Sequence, residues 1–271
     1  SQIFGAPKYR YGLMIDAGST GSRMHTFTFT RGFGTGGKMQ LISDDFFPVK
    51  PGLSSYKDAP DTAGNSLLPL LERSKSLVPP HLWAETPVYL RATAGLRMTG
   101  EEVANAILTS ARKTLSESGF IFRDEWASIL GGNDEGIYSW ITVNYLLGRD
   151  AKNTVGTLEM GGGSSQIAFV PVVVDKPMTK PGCIMPEEKI NFMGKDMKLY
   201  TTSHLGYGLK KAKATMMMHF QEKGMAQANP CLSKGSQEVD VPFEAKMLTM
   251  TGTGDFLTCE DTIDKVLGKE T

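Results

Sequence analysis

The chain has 271 residues, 29 Lys plus Arg balanced by 29 Asp plus Glu, 40% hydrophobic residues and three cysteines. A net charge of zero with no block of like charges gives no footprint for a polyanion, which excludes nucleic acid as a main partner. The longest apolar run, Ile167 to Val174, is broken by Pro171 and falls far short of the roughly 20 residues a membrane-spanning helix needs, so membrane contact is expected only through segments outside this chain.

The chain begins at Ser1 with no charged-then-apolar leader, which reads as a processed or excised chain. Its first element is the apolar, aromatic stretch Tyr9 to Ile15. Asp16-Ala17-Gly18-Ser19-Thr20-Gly21-Ser22 follows, and Arg23 to Phe29 then alternates at period two, which predicts strand, tight turn, strand. A Gly-rich turn at 32–38 and a strand over Met39 to Phe47 come next. Leucines 67, 68, 70, 71 and 77 predict a helix over Asn65 to Leu77, with Pro69 in its first turn or at a kink.

Pro87 to Ala92 reads as a short strand, and Thr99-Gly100-Glu101-Glu102 has capping-box spacing for a helix buried along Val103, Ile107, Ala111 and Leu115. Ala127 to Leu130 predicts another strand. Gly131-Gly132 turns it, and Asn133 is placed as cap of a helix with apolar face Ile137, Trp140, Ile141 and Tyr145. Thr154 to Met160 leads through Gly161-Gly162-Gly163-Ser164-Ser165-Gln166 into a strand over Ile167 to Val174. Leu205 to Gln221 reads as an amphipathic helix resting on Leu209, Ala212, Met216 and Phe220. Val239 to Thr251 alternates weakly, and a last helix is expected from Asp261, just as the chain stops.

The informative feature is a repeat. Asp16 to Ser22 and Glu159 to Gln166 each place an acidic residue at a strand end before a Gly/Ser turn and a second strand. Glycine lets the backbone approach a ligand and aim successive N–H groups at one point, while Ser and Thr add donors without bulk. Two such hairpins from two lobes would enclose one polyphosphate, with Asp16 and Glu159 suited to a hard divalent cation. Two ordinary turns are the plain alternative, weakened by the recurrence. Gly32 to Met39 nearly spells a phosphate-binding P-loop, but Met39 stands where Ser or Thr should hold magnesium, and strand pattern follows where a helix is required. Glu135 falls in the first turn of a predicted helix, where a carboxylate is favoured by the dipole or serves as a general base. Arg97 would pair with a phosphate or with a neighbouring carboxylate. The four histidines share no metal-ligand spacing. The cysteines, Cys183, Cys231 and Cys259, fit one disulfide plus a thiol or three reduced thiols.

Taken in order, four segments resemble the signatures of the apyrase or ectonucleoside triphosphate diphosphohydrolase family: Asp16 to Arg23, Arg91 to Arg97, Asp134 to Leu146, and Met160 to Ile167. Tyr200 to Gly208 also resembles a family stretch. The resemblance, from about residue 11 to 260, implies an α/β, actin-like (ribonuclease-H-like) fold of two lobes with mixed sheets flanked by helices, residues 1–150 forming the first lobe and 151–271 an incomplete second. It implies that Glu135 is the base activating water and that Ser164 and Gln166 position that water. Thr93 would lie near the terminal phosphate. Ser19, Thr20, Gly21, Ser22, Arg97, Gly162, Gly163 and Ser165 complete the phosphate contacts, and Asp16 and Glu159 hold Ca²⁺ or Mg²⁺ largely through water. The substrate would be a nucleoside di- or triphosphate.

Two departures accompany the resemblance. Glu159 replaces the usual Asp with a side chain about 1.5 Å longer, which bears on the choice of Ca²⁺ or Mg²⁺. The family's fifth signature lies beyond Thr271, so the chain reads as C-terminally truncated, with an exposed sheet edge and reduced stability and activity. The resemblance also implies a Cys231–Cys259 disulfide, and with it an extracellular or secretory-pathway lumenal location. An exopolyphosphatase or guanosine pentaphosphatase, and a nucleotide-binding module without turnover, are the competing readings.

Overall fold

A computed structural model describes residues 9–31, 39–171, 187–224, 227–243 and 246–266. The turn expected at 32–38, the end of the strand expected over Ile167 to Val174, and Cys183 lie outside the described residues. The chain divides into two compact units, residues 1–138 and 139–271.

The first unit is built on a five-stranded sheet of order β3-β2-β1-β4-β5, with β1 Tyr9–Ala17, β2 Ser22–Arg31, β3 Met39–Val49, β4 Val88–Ala92 and β5 Ala127–Ile129. Period-two patterning sends Leu13, Ile15 and Ala17 of β1 and Val88, Leu90 and Ala92 of β4 into the core. There they meet Leu70 and Leu71 of α1 (Leu68–Leu77) and Ile107, Leu108, Ala111 and Leu115 of α3 (Glu101–Ser116). β1, β2 and β3 pair antiparallel, whereas β1, β4 and β5 run parallel. Their register aligns Ala17 with Ala92 and Ala92 with Ile129, so three parallel strands finish at one edge of the sheet. The short helix α2 (Ala94–Arg97) and the helix α4 (Gly132–Leu146) start there.

The second unit contains an antiparallel sheet of order β6-β7-β9-β8, from β6 Thr157–Met160, β7 Ser164–Phe169, β8 Glu187–Phe192 and β9 Lys195–Leu205. A smaller sheet joins β10 Ala228–Asn229, β12 Lys246–Gly252 and β11 Gln237–Phe243, in that order. Beside it, α5 (Leu209–Glu222) buries Met217 and Phe220 against Met250. The last helix, α6 (Phe256–Val266), is tied to the loop after β10 by a disulfide between Cys231 and Cys259, the pairing expected from the resemblance.

Several local expectations are corrected. The helix expected from Asn65 starts at Leu68, because residues Pro60–Leu67 coil as a 3₁₀ segment and Pro69 sits in the first turn of α1, where its missing N–H costs nothing. The capping box at Thr99 does not form: Thr99 donates its hydroxyl back to the Leu96 carbonyl, closing α2, and the N-cap of α3 is Gly100 at φ 86°. Val103 is only partly buried against that core. Helix α4 begins at Gly132 rather than being capped at Asn133, and it buries Trp140 and Asn144, leaving Tyr145 exposed. Asn144 is held inward because its amide donates to the Val155 carbonyl and accepts from the Val155 N–H, clamping the helix to the chain that follows. β9 continues to Leu205, so α5 starts only at Leu209, which is exposed. Asp255 accepts from the N–H and hydroxyl of Thr258 and starts α6 five residues before the expected Asp261, so the helix is formed well before the chain's end.

Candidate functional site

The expected site residues fall into two clusters, one in each unit. In the first, Asp16 is the next-to-last residue of β1 and pairs across the hairpin with Arg23 of β2. Arg23 donates to Asp16 Oδ2 at 2.9 Å and to the Thr20 hydroxyl at 3.5 Å. The loop Gly18 to Gly21 closes with a Gly18 N–H to Gly21 carbonyl bond of 3.0 Å. Its tight seat requires Gly95 on α2, where an added Cβ would stand 2.8 Å from the Ser19 Cα. Ser19 and Thr20 are half-buried. Ser22 is fully buried, and its hydroxyl has no partner among the described residues.

Thr93 follows β4 and donates its N–H to the Ala17 carbonyl at 3.2 Å, holding the start of α2 against the end of β1. Arg97 at the end of α2 donates to the Leu130 carbonyl at 3.1 Å and to Glu135 Oε2 at 2.7 Å. Glu135, in the first turn of α4, keeps only 12% of its side chain exposed. Burial pushes its carboxyl above the usual range, Arg97 pulls it back, and the negative charge of Asp16 adds to the upward push. Asp16, Arg97 and Glu135 therefore share one electrostatic neighbourhood at the carboxyl ends of the parallel strands, where open α/β sheets gather ligands.

The second cluster repeats the hairpin. Glu159 of β6 pairs across from Gln166 of β7 as Asp16 does from Arg23, and the loop closes with a Gly161 N–H to Ser164 carbonyl bond of 2.9 Å. Contrary to the expected loop extending to Gln166, Ser164, Ser165 and Gln166 already belong to β7, because they pair with Leu205, His204 and Ser203 of β9. Gln166 donates its two amide hydrogens to the hydroxyls of Ser164, at 2.7 Å, and Ser203, at 2.9 Å. Ser165 donates to the Tyr207 carbonyl at 2.7 Å.

The carbonyls of Gly161 and Gly162 accept from the first N–H groups of α5, those of Leu209, Lys210 and Lys211. In a trans peptide the N–H points opposite to its carbonyl, so the N–H groups of Gly162 and Gly163 are turned away from that helix. Among the described residues, the N–H groups of Ser19, Thr20, Gly21, Gly162 and Gly163 donate to no protein acceptor. Successive backbone donors of this kind form anion-binding concavities.

Among the described residues no group of three His, Cys, Asp or Glu gathers for a metal. A hard cation coordinated mainly by water and phosphate oxygens needs few protein carboxylates, and Asp16 within electrostatic reach of Glu135 fits that mode. Sequence reasoning missed Arg23 and Ser203 as individual contributors. The four-residue loop would have revealed Arg23 as the cross-strand partner of Asp16, whereas Ser203 comes from a distant strand with no local signal.

The sequence matches the GDA1/CD39 (nucleoside phosphatase) family over residues 5–271. It is 43% identical to ectonucleoside triphosphate diphosphohydrolase 5 of Gallus gallus over 211 residues, 75% of this chain and 47% of that protein. It is 38% identical to an apyrase of Solanum tuberosum over 235 residues, 83% of this chain and 50% of the apyrase. The chain thus spans about half the length of these curated relatives. A crystal structure of nucleoside triphosphate hydrolases from Neospora caninum matches with a TM-score of 0.65 at 16% identity, covering 97% of this chain and 67% of that one. The mixed sheets flanked by helices are of the actin-like α/β class expected from the sequence.

Proposed function

The chain belongs to the GDA1/CD39 (nucleoside phosphatase) family, and from that premise we propose that it hydrolyses the terminal phosphoanhydride of nucleoside tri- or diphosphates with Ca²⁺ or Mg²⁺ as cofactor. The observation that carries this reading is the duplicated hairpin. Each copy sets an acidic residue across from a polar partner and carries, in a glycine-bearing loop, backbone N–H groups that have no protein acceptor among the described residues. Such donors suit phosphate oxygens and stabilise the charge that spreads over them as a phosphoryl group transfers.

Ser19, Thr20 and Gly21, and likewise Gly162, Gly163, Ser164 and Ser165, supply phosphate contacts, with Ser22 fully buried at the end of the first loop. Thr93 sits near the terminal phosphate. Asp16 and Glu159 would each contribute a carboxylate toward holding a cation, which would supply Lewis-acid neutralisation of the phosphate oxygens. Glu135 accepts a proton from water as the water oxygen bonds to the terminal phosphorus. The bridging P–O bond breaks, and the shortened nucleotide leaves with inorganic phosphate as the second product. Gln166, with both amide hydrogens committed to Ser164 and Ser203, acts on that water through its carbonyl oxygen.

The disulfide supports an oxidising compartment, the secretory-pathway lumen or the extracellular space. No described helix is long and apolar enough to cross a membrane. The reading is tested by phosphate release from ATP, ADP, GDP, UDP and inorganic polyphosphate with Ca²⁺, Mg²⁺ or EDTA. Metal-dependent release from at least one nucleotide is expected. Release from polyphosphate alone would replace it with the exopolyphosphatase reading, and tight binding of a nonhydrolysable nucleotide without release from any substrate would replace it with a binding module.

A further inference from the structure

An arginine beside a phosphate loop is ordinarily read as a phosphate ligand. Here the Arg97 guanidinium instead spans two structural elements, giving Nη1 to the Leu130 carbonyl at 3.1 Å and Nη2 to Glu135 Oε2 at 2.7 Å. Leu130 follows β5 and Glu135 lies in the first turn of α4, so the guanidinium stitches the strand-to-helix junction that carries the carboxylate. The side chains of Arg97 and Glu135 are only 15% and 12% exposed.

A guanidinium is a rigid planar fork. Anchoring one of its nitrogens on a main-chain carbonyl fixes the direction in which another presents its hydrogen, and so fixes where Glu135 points. A lysine ammonium, a point charge on a flexible stem, would match the charge but not the bridge. Pairing also matters at this depth, because a buried carboxylate stripped of its cation is strongly destabilising.

Resting on the reading of Glu135 as the base, we propose that Arg97 is a positioning residue that anchors and aims the Glu135 carboxylate and is not itself a phosphate ligand. This gives the last residue of the Arg91 to Arg97 signature a role toward the Asp134 to Leu146 signature and not toward the substrate. One signature would then carry the base and the other its holder.

The test combines a thermal-stability cycle with steady-state kinetics on the full chain, using Arg97→Ala, Arg97→Lys, Glu135→Gln and the Arg97→Ala/Glu135→Gln double variant. Arg97→Ala is expected to lower Tm by roughly 5 °C or more, and adding Glu135→Gln is expected to restore most of that loss. Strictly additive changes in Tm would overturn the pairing. In turnover, Arg97→Ala is expected to lower kcat about tenfold or more with KM held within about twofold, and Arg97→Lys to recover part of the loss. A raised KM with kcat unchanged would mark a phosphate ligand and overturn the proposal. Undiminished phosphate release by Glu135→Gln would strike the reading of the base, whereas additive melting strikes the pairing alone, so the two failures are distinct.

Discussion

Glu135, the proposed base, sits where burial and pairing pull its protonation in opposite directions. Its burial favours the neutral carboxyl, Arg97 favours the charged one, and the neighbouring Asp16 again favours the neutral one, with the net direction upward. A carboxyl whose folded pKa is raised contributes stability that is fully present below the ordinary carboxylate range and is lost as pH rises through the raised value. The parent chain is therefore expected to lose stability relative to Glu135→Gln as pH climbs from about 4 toward 7, while the two melt alike in acid. Tm measured across that range checks it, and a parent that gains on Glu135→Gln with rising pH would contradict the assigned environment. In the proposed role of base, Glu135 would gain proton affinity from the same upward push that costs stability. Sequence alone exposed Glu135 as a helix-start carboxylate and left Arg97 open between phosphate and carboxylate, because the answer depends on how α2 meets the β5–α4 junction.

At the scale of elements, the two hairpins were legible because their signal is local: an acid at a strand end, small residues in the turn, alternation afterward. Their common register, Asp16 to Arg23 and Glu159 to Gln166, follows from equal loop lengths. Helix starts were less legible because they were decided by competing partners. Thr99 had the right spacing to cap α3, but its hydroxyl is drawn back to Leu96. The apolar periodicity around Leu205 suggested a helix, yet pairing with Ser164 keeps Leu205 in β9. The second loop can seat against the start of α5 because Gly208 has no side chain: a Cβ there would stand 2.4 Å from the Ser164 nitrogen and 2.5 Å from that of Gly163. Those contacts are with backbone, so the clash cannot be relieved by a side-chain rotation. Gly208→Ala is expected to displace the loop, lower stability by about 1–3 kcal/mol and raise KM for the nucleotide. A variant with parental Tm and KM would show that the loop's seat on α5 is not what shapes its phosphate contacts.

At the scale of the whole molecule, chain order brings distant signatures to one end of one sheet. β1, β4 and β5 are parallel and in register, so the residues following them, Gly18, Thr93 and Leu130, meet at a common edge although they are far apart in sequence. The strand pattern predicted these elements, but it carried no information on their spatial order; the family resemblance supplied that, through the fold it implied. The second unit duplicates the hairpin on an antiparallel sheet and fastens α6 through Cys231 and Cys259, a pairing that cysteine counting left open. On the proposed function, this assembly of strand ends makes Glu135 the base for attack of water on a terminal phosphate. The most direct test of that role is the rate of phosphate release from a nucleoside diphosphate, with Ca²⁺ or Mg²⁺ present, by the parent chain and by Glu135→Gln at equal folded concentration. Metal-dependent release by the parent is expected, with a loss of about 100-fold or more in Glu135→Gln with its fold intact; equal rates from the two chains would rule Glu135 out as the base.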